Sequence, residues 1–334
     1  MTSSTCAVHA HRHSWWMTSL ALVCWVLFFN SRPDQQSIVP PLVCFALIVL
    51  LGLPHGGLDH RVGARLLKRW SAGAAGWWFV SLYLTISMLI VIGWFFSPLI
   101  IILLFFVFSA WHFGLEEETD PPDNWLRSLS SLVRGGMVIW VPCIFQGDRV
   151  VELLQITIPV DQTSAAVTSV SWIVKLWPFW IALLICDLWL FGRQSAERGA
   201  VSAAKLFKIR WTHATRIIAF GLLFASVDPL IGFTLYFCFW HSVRGLVELR
   251  RHFADNWASL IRQLLPMSLA AMGLFVVTLT LWVSGIGWAD AAIRTSFIGL
   301  SAVAIPHLLL HVFDRLAGQT DLPFSAPLTG EGAV

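Results

Sequence analysis

The sequence predicts an all-α protein, a polytopic membrane helix bundle of about ten transmembrane helices. Three observations carry that expectation. Hydrophobic residues make up 57% of the chain and charged residues only 12%, with a mean hydropathy of +0.73, which is too apolar for a water-facing surface. Apolar stretches of roughly bilayer-spanning length recur along the chain, punctuated by Pro, Gly and charge. When these are threaded alternately through a bilayer, Lys and Arg collect on one side.

The elements follow in order. A polar tail, 1–14, precedes an apolar stretch over 15–30; this outline suggests a signal peptide, but no small-residue cleavage site precedes NSRPDQQS, so it reads as a retained first span. The second span, 38–55, runs into LGLPHGGLDH. Pro54 forfeits a backbone donor and Gly56-Gly57 permits unusual dihedrals or a close approach, so this backbone cannot stay a plain helix. Irregular backbone at membrane depth is tolerated where it lines a cavity. Further spans fall over 74–96, 98–114, 127–146, 170–191, 210–227, 230–249, 265–284 and 290–312, with Asp228-Pro229 marking a tight turn between the seventh and eighth. No linker splits off a second domain, so 15–314 reads as one transmembrane domain and 315–334 as a C-terminal tail.

Orientation follows from the basic residues. With both termini in the cytosol, most of the 22 Lys and Arg fall inside; Arg32, Arg149 and Arg294 face the other side and Arg134 and Lys175 lie within spans. This places the chain in the cell (inner) membrane. The formal charge of +3 reflects these loops, and no basic stripe with interleaved aromatics suggests a nucleic-acid partner. Of the six cysteines, Cys24, Cys44, Cys143, Cys186 and Cys238 sit in apolar runs and only Cys6 in the tail; none forms a CxxC pair, so they read as buried small hydrophobes.

Histidine is costly inside a bundle unless paired or ligated. His55 lies at the end of the second span, His112 at the end of the fourth, His241 along the eighth, and His307 and His311 late in the tenth. Even-numbered spans run in one direction, so distant positions come within reach of one layer. Bundles that present inward ligands from several helices are a known way to hold iron. His307 and His311, four residues apart, share a helical face. Asp59 follows His55, and Glu116 follows His112, at the same spacing, where a carboxylate can fix the tautomer of a ligating imidazole; for the run Glu116, Glu117, Glu118 a helix-end charge meeting the cytosol is the plainer reading. Imidazoles backed by carboxylates suit iron, copper or zinc, and the residues alone leave that choice open. His9, His11 and His13 read as tail residues, His60 as a neighbour of the site or of headgroups, and His213 and His252 as solvated or headgroup positions.

At PHGGLDH, SAWHFG, FCFWHS and IPHLLLH the chain resembles the Brp/Blh family of membrane beta-carotene 15,15′-dioxygenases, from about Pro54 to His307. The resemblance implies an iron(II) enzyme that uses dioxygen as co-substrate to split the central double bond of beta-carotene, a lipid-soluble carotenoid, into two retinal molecules. It implies His55, His112 and His241 as iron ligands with Asp59 close by. The family's third motif runs W-H-S-x-R-H, and here its last position is Gly245, so the carried-over set is one imidazole short; His307 or His311 is the residue to complete it. The other readings of the histidines are oxidation of a different carotenoid or lipid, and metal or haem transport. Most of the 19 Trp and 24 Phe are ordinary membrane material, with Trp111 and Trp240, next to proposed ligands, as the exceptions.

Overall fold

The computed structural model describes residues 39–67, 75–116, 125–197, 203–254 and 256–318. Every regular element among them is helical. Helix α1 (Val39–Leu47) continues through a π-helical turn (Ile48–Gly52) and a 3-10 turn (Leu53–Gly56) into α2 (Asp59–Leu67). Next come α3 (Ala75–Phe96), α4 (Pro98–Glu116), α5 (Trp125–Gly135), α6 (Met137–Phe145), α7 (Gly147–Thr157), α8 (Thr163–Lys175), α9 (Trp177–Glu197) and α10 (Ala203–Ser226). Helix α11 (Pro229–Leu235) passes through a second π-helical segment (Tyr236–Ser242) into α12 (Val243–Phe253), and α13 (Trp257–Gly318) closes the chain.

Five of these helical runs are long and apolar enough to cross a membrane, or up to seven if each of two bent pairs is one span. The expected first span, 15–30, lies outside the described residues, as do the tails, with His9, His11 and His13. The expected span over 127–146 is bent by 57° between α5 and α6, and that over 170–191 by 51° between α8 and α9. At the second bend Pro178 sits in the first turn of α9, where its missing N–H costs nothing and its ring ends the preceding helix. The tract between these spans, expected as a connection, is instead helical in α7. The expected turn at Asp228 is present: its carboxylate accepts from the backbone N–H of Leu230 and Ile231, capping α11, while Pro229 takes the first helical position.

Unbroken, the 58-residue apolar run within α13 would extend about 87 Å, far beyond a hydrocarbon core of about 30 Å. Gly287 breaks it, with φ 79° and ψ 171°, a conformation in which any side chain would be strained. The break falls between the expected spans 265–284 and 290–312.

Helix α3 faces outward, with only 11% of its apolar window buried. Trp77 and Trp78 at one end and Phe95 and Phe96 at the other are exposed, as residues at the two membrane interfaces are. The interior is aromatic, built on Phe45, Phe105, Phe113, Phe220, Phe224, Tyr236, Phe237 and Trp240. Helices α4 and α5 pack most intimately. A methyl group at Gly114 would overlap the Ser131 carbonyl, and one at Gly135 the Ala110 carbonyl. Ala110 and Gly114 on one helix thus mesh with Ser131 and Gly135 on the other, the small-residue spacing that lets membrane helices touch backbone to backbone.

Candidate metal centre

Both π-helical segments lead into histidines. Turns of this kind are rare and concentrate at functional sites, because one extra residue per turn loosens the ladder of backbone bonds. In the first, the Gly52 carbonyl accepts a hydrogen bond from Nδ1 of His55. A carbonyl can only accept, so His55 carries its proton on Nδ1 and presents Nε2 as a lone pair. In the second, the Ser242 hydroxyl donates to the Phe237 carbonyl at 2.8 Å, and His241 is buried to 2% exposure. The two segments meet at Gly52, whose α-carbon lies against the Phe237 ring.

Nε2 of His55 and Nε2 of His241 are 3.2 Å apart. Two nitrogens that share an ion at about 2.1 Å are separated by about 3.0–3.4 Å in tetrahedral or octahedral arrangements, so this pair has the spacing of two ligands. The rings form a closed circuit. Centroid separations are 4.7 Å from His55 to His241, 5.2 Å from His241 to His112, 5.5 Å from His112 to His307 and 5.2 Å from His307 back to His55. His311 adjoins it, 4.4 Å from His307 and 5.6 Å from His112.

Asp59, the first residue of α2, reaches His307 rather than His55: its carboxylate accepts from His307 Nδ1 at 2.8 Å, which turns Nε2 of His307 toward the other rings. Asp59, His307 and His311 each offer a ligand atom within 4.8 Å of the other two. The ligand atoms of this trio are mutually the tightest group, whereas the four-ring circuit is looser at His112; the trio measures closeness of single atoms, the circuit the enclosure of a common space, and both describe one cluster. Among the described residues no thiolate joins it, and neutral imidazoles with one carboxylate fit a divalent iron, copper or zinc ion.

The sequence-predicted residues His55, His112, His241, His307, His311 and Asp59 therefore come together. The backbone of Glu116 ends α4, and its side chain lies outside the described residues. Gly245, on α12, faces the cluster: a Cβ there would stand 3.5 Å from His55 Cβ and 3.6 Å from its ring. Two aromatic rings that the sequence reading passed over wall the site. Phe113, next in chain to His112, packs 4.8 Å from His241, and Phe237, one turn before His241, stacks on it at 5.5 Å; the second position follows from helical spacing to a histidine, the first from packing between helices. Trp240 points away, packing on Phe220 at 5.1 Å beneath the Arg216 guanidinium.

His213 corrects an expectation. Rather than meeting solvent or headgroups it is 2% exposed, with Nε2 donating to Asp187 at 3.0 Å and Nδ1 accepting from Arg216 at 2.8 Å. The physical reason is Asp187, an acidic residue on α9 that also pairs with Arg134; a buried carboxylate needs such partners. Arg134 in turn donates to the Gly114 carbonyl at 2.9 Å. The network thus holds the end of α4 two residues beyond His112.

A family model described as beta-carotene 15,15′-dioxygenase matches residues 46–313. A beta-carotene 15,15′-dioxygenase from uncultured marine bacterium 66A03 is 29% identical over 284 residues, covering 79% of this chain and 90% of the relative. No solved structure matches the chain.

Proposed function

The chain belongs to the beta-carotene 15,15′-dioxygenase family, and from that premise we propose that it is an iron(II)-dependent membrane oxygenase that cleaves the central double bond of beta-carotene to give two molecules of retinal. Family membership supports a carotenoid-cleaving enzyme in a membrane; the iron, the cleavage position and the ligands are our reading. The observation that carries it is the circuit of imidazoles, three buried and His55 half-buried, drawn from four separate helical segments, with lone pairs turned inward by Gly52 and Asp59.

In this reading His55, His112 and His241 hold the metal, and His307 supplies the imidazole that Gly245 does not. Bound there, iron(II) would supply the redox chemistry by which both atoms of dioxygen are transferred, one to each carbon of the cleaved bond. The protein's own contribution is ligation, orientation and dryness. Asp59 fixes the His307 tautomer by accepting from Nδ1, and the Gly52 carbonyl does the same for His55. Glu116, one turn after His112, is proposed to serve it likewise. Phe113 and Phe237 keep water from the rings and leave an apolar wall for a polyene. The orientation proposed is both termini on the cytosolic side of a cell (inner) membrane, with 15–314 as a single domain between two tails.

The test is expression in a bacterium that accumulates beta-carotene, with pigment and extracted retinal measured beside His55→Ala and His241→Ala. The wild type should bleach the cells and yield retinal, and both variants should do neither. Unchanged pigment beside well-expressed wild-type protein would overturn the substrate.

A further inference from the structure

Six donors converge on the cluster, five imidazoles and the Asp59 carboxylate. One ion that must keep a position open for dioxygen has too few sites for all of them. The shortest contacts within this one cluster fall in two groups. His55 and His241 bring their Nε2 atoms to 3.2 Å, and the His112 ring lies 5.2 Å from that of His241. Asp59, His307 and His311 form the second group, with ligand atoms mutually within 4.8 Å. Bonds of about 2.1 Å would close that spread with small side-chain rotations.

The second group is built as a site. His307 and His311 project from one face of α13, four residues apart, with ring centroids 4.4 Å apart. Asp59 comes from a different helix and is 7% exposed, as is His307. Tyr83 from α3 backs them, its hydroxyl donating to the Val303 carbonyl one turn before His307 at 2.8 Å. The anionic ligand belongs to this group and the other is all imidazole, so the two sites differ in charge and hardness.

We propose that the protein holds a second metal ion on Asp59, His307 and His311, beside the one held by His55, His112 and His241. This rests on the reading of the cluster as a metal centre and changes it in one respect: His307 serves the second ion through Nδ1, the ion taking the place of the proton shared with Asp59, and the first ion keeps His55, His112 and His241. The two groups adjoin, with the rings of His55 and His307 5.2 Å apart. Helical bundles hold paired ions in this manner, with carboxylate and histidine ligands from facing helices.

Purified full-length protein in detergent, stripped with a chelator, is titrated anaerobically with iron(II) and, separately, with cobalt(II) as an optical probe. Bound metal per chain is then counted by elemental analysis after desalting. Wild type should saturate at two equivalents. His311→Ala and Asp59→Ala should fall to one, and His55→Ala should also fall to one, with a cobalt spectrum different from that of His311→Ala. Saturation of the wild type at one equivalent overturns the proposal without reference to any variant, as does retention of two by His311→Ala. One equivalent together with retinal formation leaves the proposed function standing; no bound metal removes both.

Discussion

Replacing Asp187 by Asn removes a charge while keeping the shape of the side chain. Arg134 and Asp187 pair at 4% and 3% side-chain exposure, and His213 donates to the same carboxylate. Breaking a buried pair of this kind costs about 3–5 kcal/mol, because the remaining charge has lost its counterion in a medium that cannot solvate it. A comparison lies in the same molecule. Arg149 and Glu152 pair at 25% and 43% exposure, where water screens the interaction, and Glu152→Gln should cost less than about 1 kcal/mol. Folded fraction followed by circular dichroism, as mixed micelles are titrated with SDS, gives both values. The loss in Asp187→Asn should be accompanied by weaker metal binding, since Arg134 grips the Gly114 carbonyl just beyond His112. Equal, small losses in the two variants would refute the reasoning.

Gly245→His should fold, because its Cβ meets only ordinary contacts near 3.5 Å; placing an imidazole beside His55, it should tighten metal binding measured by calorimetry, and unchanged or weaker binding would show that position 245 does not face the ion. Gly114→Val should destabilise the protein in the same SDS titration by at least about 1–3 kcal/mol, since the side chain meets backbone and not a movable group. Tyr83→Phe removes one hydrogen bond to the Val303 carbonyl and should lower stability by about 1 kcal/mol. In the same variant, metal affinity should drop more than it does in Thr85→Val, which loses only a bond within α3.

The gathering of His55, His112, His241 and His307 was legible because the spans expected to carry them run in one direction, which brings their histidines within reach of one layer. Asp228-Pro229 was legible because a capping carboxylate and a helix-starting proline leave a local signature. His213 was not. Lysines and arginines around it give its helix the look of a cytosolic surface, and the carboxylate that draws it inward lies 26 residues away on another helix. The π-helical segments were equally hidden, since no side-chain pattern separates five residues wound in that manner from five in an ordinary helix. Asp59 was placed near the site by its spacing from His55, yet its partner is His307, 248 positions distant, which only tertiary packing decides.

The wide turn at Tyr236–Ser242 also fixes a phase. Each residue advances a regular helix by about 100°, whereas the wide turn spreads one extra residue over a turn, so Gly245 and the rest of α12 keep the phase they would have without that residue. Winding the same seven residues as a regular helix would still span the bilayer, while swinging the His241 imidazole round toward a neighbouring helix or the lipid. The direction of His241 therefore depends on how this segment is wound as well as on which residue stands there.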